Sequence, residues 1–254
     1  MGARLLHAPL LLLLYQTVPA RVGPDSLGRY RLSLGYGGGQ WEDEEFDCQG
    51  QLVNAARVPY RSGGAQLDAW LSPHLRVTAF GGTFRPMPRP DSGASVHDYY
   101  GGFGGAQLAY EGRHFGIGIG PAHVSGYDGF TGPSSYLRIG NLDGVYFLSE
   151  ALQPTPAFSS TGMGRAGVGF HQGHTRRVGG FVGIASPPPY NGKTMLTGSL
   201  RYPVAGRLTL QLDGVVGPGA QYGQQGGAVG LWYDFGSPSG RGQAHPSPVA
   251  SPVP

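Results

Sequence analysis

Apolar and polar residues alternate along most of this chain with a period of two, the pattern of a β-strand whose two faces meet different surroundings. Leu208, Leu210 and Leu212 are interleaved with Thr209, Gln211 and Asp213. Tyr30, Leu32, Leu34 and Tyr36 likewise face away from Arg31, Ser33 and Gly35, and Ala65, Leu67, Ala69 and Leu71 from Gln66, Asp68 and Trp70. The same alternation recurs at 75–79, 106–110, 115–119, 137–139, 145–147, 166–170, 178–184, 196–202 and 229–235. These twelve segments predict twelve strands, and their apolar faces carry no Asp, Glu, Lys or Arg. The weakest pair is 135–141 with 145–152, whose loss would leave ten strands.

The connections carry a second pattern. Pairing Leu71 with Leu75 across Ser72-Pro73-His74 keeps both apolar sets on one face. Tyr202 is expected to pair with Leu208, with Gly206 near the tip, and Gly112-Arg113 suits a type II′ turn flanked by Glu111 and His114. Two further short connections fall at 141–144 and 171–177. These five alternate strictly with six longer ones, at 37–62, 85–98, 122–133, 152–162, 187–193 and 218–225. Short turns on one side and long loops on the other mark a transmembrane barrel. The expected fold is therefore all-β: an antiparallel up-and-down transmembrane β-barrel of about 12 strands.

Composition fits this. Charged residues are only 13% of the 254, against about 25% in soluble domains. With 47 Gly and 22 Pro the chain approaches a low-complexity composition. Its 14 Tyr, 11 Phe and 3 Trp argue against disorder. A single Cys, Cys48, excludes an intramolecular disulfide. The arginines are dispersed, which disfavours nucleic acid as a partner. Residues 1–20 combine Arg4, an apolar run and small residues at Val18 and Ala20, as in a secretory signal peptide cleaved after Ala20. The barrel domain is expected over 21–235, and the Pro-, Gly- and Ser-rich residues 236–254 as a disordered tail.

Over residues 28–235 this pattern resembles bacterial outer-membrane β-barrel proteins. Gly230-Leu231-Trp232-Tyr233-Asp234-Phe235 is similar to their last-strand assembly signal, with Gly230, Tyr233 and Phe235 at the characteristic places. In that family the signal usually closes the chain, whereas 19 residues follow it here. The resemblance implies the outer membrane of a diderm bacterium as location, with outer-membrane lipid and the barrel-insertion machinery as partners.

Candidate chemistry is sparse. Arg31, Arg76, Arg138, Arg165 and Arg201 fall on inward-facing positions with Asp68, Glu111, Asp213 and Asp234. Such a set lines a lumen, either as an anion-leaning pore for small solutes or as a salt-bridged plug. Glu42, Asp43, Glu44, Glu45 and Asp47 hold five of the 15 acids inside the longest expected outer loop. They are the candidate metal ligands, for Ca²⁺ by chemistry, although the spacing matches no calcium loop. The Gly162-Met163-Gly164-Arg165-Ala166-Gly167 run precedes a strand rather than the helix a dinucleotide site needs, and Gly192-Lys193-Thr194 lacks the upstream glycine of a phosphate loop. His171 and His174 share one turn without a carboxylate or thiolate nearby, and no G-x-S-x-G occurs. No cofactor and no catalytic residue is expected. The expected function is a passive small-solute pore with an Arg-lined lumen; the alternatives are a non-conducting scaffold presenting its outer loops for binding and, behind it, an envelope-lipid enzyme or a soluble exported β-protein.

Overall fold

In the computed structural model, residues 30–72, 74–87, 101–125, 129–142, 144–151, 164–170, 178–186, 194–219 and 224–235 are described. They form twelve strands: β1 (Tyr30–Phe46), β2 (Leu52–Trp70), β3 (Leu75–Pro86), β4 (Gly101–Glu111), β5 (Phe115–Val124), β6 (Phe130–Gly140), β7 (Val145–Ala151), β8 (Gly164–Phe170), β9 (Gly179–Ser186), β10 (Met195–Ala205), β11 (Leu208–Gly217) and β12 (Gln224–Phe235). Each strand pairs antiparallel with its sequence neighbours, and β1 pairs with β12, so the sheet closes into a barrel without an edge. The pair β6 and β7, the weakest in sequence, is present. The expected signal peptide, the tail and the 171–177 turn with His171 and His174 lie outside the described residues.

The barrel is inside out relative to a soluble protein. Its outer face carries the predicted apolar sets, with Ile119 64% and Val182 67% exposed, and no charge interrupts them. Tyr30, Tyr110, Phe115, Phe170, Tyr202 and Tyr233 gather outward near the short-turn end, as an interfacial girdle would. The inner face carries the polar sets. A continuous exposed apolar surface of this kind would make a soluble protein associate, whereas lipid covers it at no cost.

Two turns close differently from expectation. Glu111 pairs with Gly116 and Gly112 N–H donates to Phe115 O, so the central residues are Arg113 and His114. Tyr202 pairs with Leu210 rather than Leu208; a bulge between Pro203 and Ala205 then brings Ala205 opposite Leu208, with Gly206 left-handed at φ 46°. Either register keeps the apolar sets on one face, so alternation fixes it only to within two residues. The Leu71 to Leu75 turn closes as expected, Leu71 N–H donating to Leu75 O.

The 37–62 connection is a larger correction. It is not a loop: β1 and β2 continue through it as a ladder from Tyr30 opposite Ala69 to Glu45 opposite Asn54, turning at 47–51. Pairing of β1 with β12 ends at Gln40, and pairing of β2 with β3 begins at Tyr60. Residues 41–46 and 52–59 therefore form a two-stranded ribbon that continues past those pairings, about 20 Å long at strand rise, with Glu42 and Val58 nearly fully buried within it.

The inward glycines are filled by neighbouring rings. A Cβ at Gly116 or Gly118 would collide with the Tyr136 ring, one at Gly169 with Tyr146, one at Gly105 with Phe80, and one at Gly167 or Gly183 with Phe181. All four rings are buried. The missing side chains make room for aromatics from adjacent strands, and these rings cover the glycine backbone.

Candidate functional site

Every inward charge of the barrel wall named above is buried, none more than 8% exposed. Strand pleating places these residues: each sits one position away from an outward-facing residue and so points to the axis. Beginning at the seam, Arg31 Nε donates to Asp234 Oδ1 at 2.7 Å and Nη2 to Oδ2 at 2.9 Å. The guanidinium also lies 5.0 Å from the Trp232 ring centre and 5.9 Å from that of Trp70. Asp68 accepts from Arg76 Nη1 (2.8 Å), Thr78 Oγ1 (2.7 Å) and Gln66 Nε2 (3.0 Å). Arg76 then reaches Glu111 Oε1 at 3.5 Å, and Arg138 approaches Glu111 Oε2 at 3.7 Å. Arg138 also donates to the carbonyls of Gly112 and Gly140, tying two short turns to the interior.

The other half of the circumference continues in the same way. Arg165 Nε lies 2.8 Å from Glu150 Oε2 and its guanidinium 4.7 Å above the Phe181 ring. Arg201 Nε donates to Gln211 Oε1 at 2.8 Å and stacks 4.2 Å from the Trp232 centre. Gln211 Nε2 in turn donates to both oxygens of Asp213 at 2.8 Å. The result is a nearly continuous ring of charge and aromatic contacts inside the wall.

The structure thus brings all nine sequence-predicted lumen residues into one girdle. Glu150 was missed. The alternation of Val145 and Phe147 already puts position 150 inward, opposite Arg165, but the segment faded before reaching it. Its inclusion changes the balance: five arginines now meet five carboxylates, Asp68, Glu111, Glu150, Asp213 and Asp234. Among the described residues the formal charges of this girdle balance, as in the salt-bridged plug of the two expected alternatives. A buried charge without a partner is costly, which is why each arginine here has a carboxylate, amide or carbonyl partner.

Of the acidic run, Glu42 is buried opposite Arg57, and Asp47 caps its own turn by accepting from Gln49 and Gln51 N–H at 2.8 Å each. Among the described residues no group of three or more His, Cys, Asp or Glu side chains is placed to hold a metal ion. Of the assembly-signal residues, Gly230 is buried in β12, while Tyr233 and Phe235 stack at 6.4 Å and Phe235 stacks on Tyr30 at 5.5 Å.

No protein-family model matches the chain, and no curated protein matches it in sequence. Among solved structures, an outer membrane channel from Pseudomonas putida F1 superposes with a TM-score of 0.56 at 12% identity, covering 87% of this chain and 98% of the channel. The fold is that of outer-membrane β-barrel proteins. Outer membrane phospholipase A from Escherichia coli also matches, at a TM-score of 0.42 and 11% identity over 80% of this chain and 92% of that one. At these identities the likeness speaks to the barrel, and the chemistry of the interior must be argued from this chain's own residues.

Proposed function

We propose that this chain is an outer-membrane barrel closed to passive solute flow, a rigid stand that carries the β1–β2 ribbon beyond the membrane. The observation that carries the proposal is the burial of Arg76: fully shielded from solvent, it joins Asp68 and Glu111 of the two flanking strands on the inner face of the wall. An arginine on the wall of a water-filled pore would be hydrated. In the proposed orientation the short turns face the periplasm and the ribbon faces outward. The barrel-insertion machinery would read β12 through Gly230, Tyr233 and Phe235. The reading contains no catalytic step and no cofactor.

Liposome swelling with small sugars and amino acids tests it. Vesicles holding the folded protein should swell no faster than empty ones, and rapid swelling would refute closure. A second reading has one observation in its favour, the fold shared with the Pseudomonas putida channel. In that reading the ring is a gate, and a stimulus that parts the ion pairs would open it.

A further inference from the structure

On the outer face, at the end away from the short turns, Arg61 of β2 and Arg85 of β3 are direct partners in the ladder, and both are exposed. Like charges placed directly opposite in a sheet repel. Among the described residues neither arginine has an ion pair or hydrogen bond through its side chain. Neighbouring Arg57 differs, lying opposite Glu42. Leu71 and Leu75 are opposite each other at the short-turn edge of the apolar band. Arg61 and Arg85 each lie ten residues further along their strands. At strand rise and a tilt of 35–45° that is about 25 Å along the barrel axis, the height of a lipid-facing band. The two cations therefore stand at headgroup depth on the opposite rim.

Beside Arg61 the wall is indented by a cavity of about 520 Å³, lined outward by Tyr36, Gly38, Arg61, Gly227 and Val229 and deeper by Gly37, Tyr60 and Ala228, with Met87 at its edge. Gly38 and Gly227 are ladder partners and form its floor, where the absent side chains lower the surface. Tyr36 and Val229 wall it on the side of the apolar band. The cavity thus offers an apolar trough that begins at a cation pair and points toward the middle of the membrane.

We propose that this groove binds a phosphate-bearing lipid of the surrounding leaflet, its phosphate held by Arg61 and Arg85 and an acyl chain laid over Gly38 and Gly227. Charge complementarity selects the headgroup: two guanidinium groups with no carboxylate partner among the described residues match a phosphate, to which Arg donates paired hydrogen bonds. The apolar trough selects a lipid over a free anion. The proposal depends on the membrane reading above for the depth of the arginines.

Native mass spectrometry of the full folded chain, released from a neutral detergent, tests it with four probes: dihexanoyl phosphatidic acid, dihexanoyl phosphatidylcholine, dihexanoyl glycerol and inorganic phosphate. Phosphatidic acid should give a retained one-to-one adduct, phosphatidylcholine a weaker one, and the other two none. Arg61→Gln with Arg85→Gln should weaken the phosphatidic acid adduct by about tenfold or more, the loss expected for two charge-assisted bonds. Val229→Trp, which fills the trough from a lipid-facing position, should weaken it with both arginines intact and so covers the case in which the double variant does not fold. Arg113→Gln, at the opposite end, should change nothing. Equal retention of dihexanoyl glycerol, retention of inorganic phosphate as strong as that of the lipid, or full retention by Val229→Trp would overturn the proposal. A chain that stays monodisperse without detergent would overturn the membrane reading, and this proposal with it.

Discussion

Arg31 on β1 and Asp234 on β12 join the two ends of the barrel through a two-bond ion pair, 203 residues apart in sequence and buried between Trp70 and Trp232. This pair fastens the seam at which the closing strands meet. Removing one partner leaves a desolvated charge, so Asp234→Ala should destabilise the barrel by about 3–5 kcal/mol. Urea unfolding in detergent, followed by heat-modifiable gel mobility, measures this. Arg31→Met combined with Asp234→Leu should recover most of the loss, because neither charge is then stranded.

The ring-on-glycine contacts make a second prediction. Gly118→Val puts branched carbons where the Tyr136 ring lies, and overpacking of this kind costs about 1–3 kcal/mol. In a Tyr136→Ala background the same substitution should cost much less, since the space is vacant. Equal effects in the two backgrounds would show that the ring and the glycine are not in contact.

Leu200 tests the lipid-facing surface. It is 46% exposed on β10, where a soluble protein tolerates almost any residue. In a bilayer, Leu200→Arg should cost about 2–4 kcal/mol when unfolding is measured from vesicles. In water a surface substitution of this kind shifts stability by only about 0.5 kcal/mol either way.

The fold was legible because the outer and inner faces of the barrel carry opposite chemistries on alternate residues, and period-two alternation writes that contrast directly into the sequence. All twelve strands, including the weak pair β6 and β7, could be read this way. Registers were less accessible. The hairpins at 113–114 and 206–207 each slid by two residues without moving any side chain to the wrong face, so patterning could not choose between them. The ribbon was hidden because Gly37 to Gly39 and the acidic run have the composition of a loop. Its strands are held by cross-strand pairing, with Glu42 opposite Arg57, a relation between residues far apart in sequence. The interior charges were found by phase alone. Their partners were not, because alternation says that Glu111 points inward and nothing about Arg76 and Arg138 meeting it there. Nor does alternation say that the rings of Tyr136, Tyr146, Phe80 and Phe181 fill the space over the inward glycines.

Among the described residues the ribbon pairs with no other strand of the barrel, so its removal should leave the wall intact. Replacing residues 41–58 with Asn-Gly, to close Gln40 onto Pro59 by a two-residue turn, should preserve heat-modifiable mobility and the unfolding midpoint to within about 1 kcal/mol. A variant that no longer folds would show that the ribbon is part of the barrel's own stability, and that the barrel is not an independent stand.

Planar-bilayer recording tests closure of the barrel most directly. Wild-type protein, inserted and verified as folded by its gel mobility, should give a flat current baseline, because Arg76, Glu111 and Arg138 are packed on the inner face of the wall without solvent access. Discrete conductance steps from the folded wild-type chain, without any stimulus, would contradict the account.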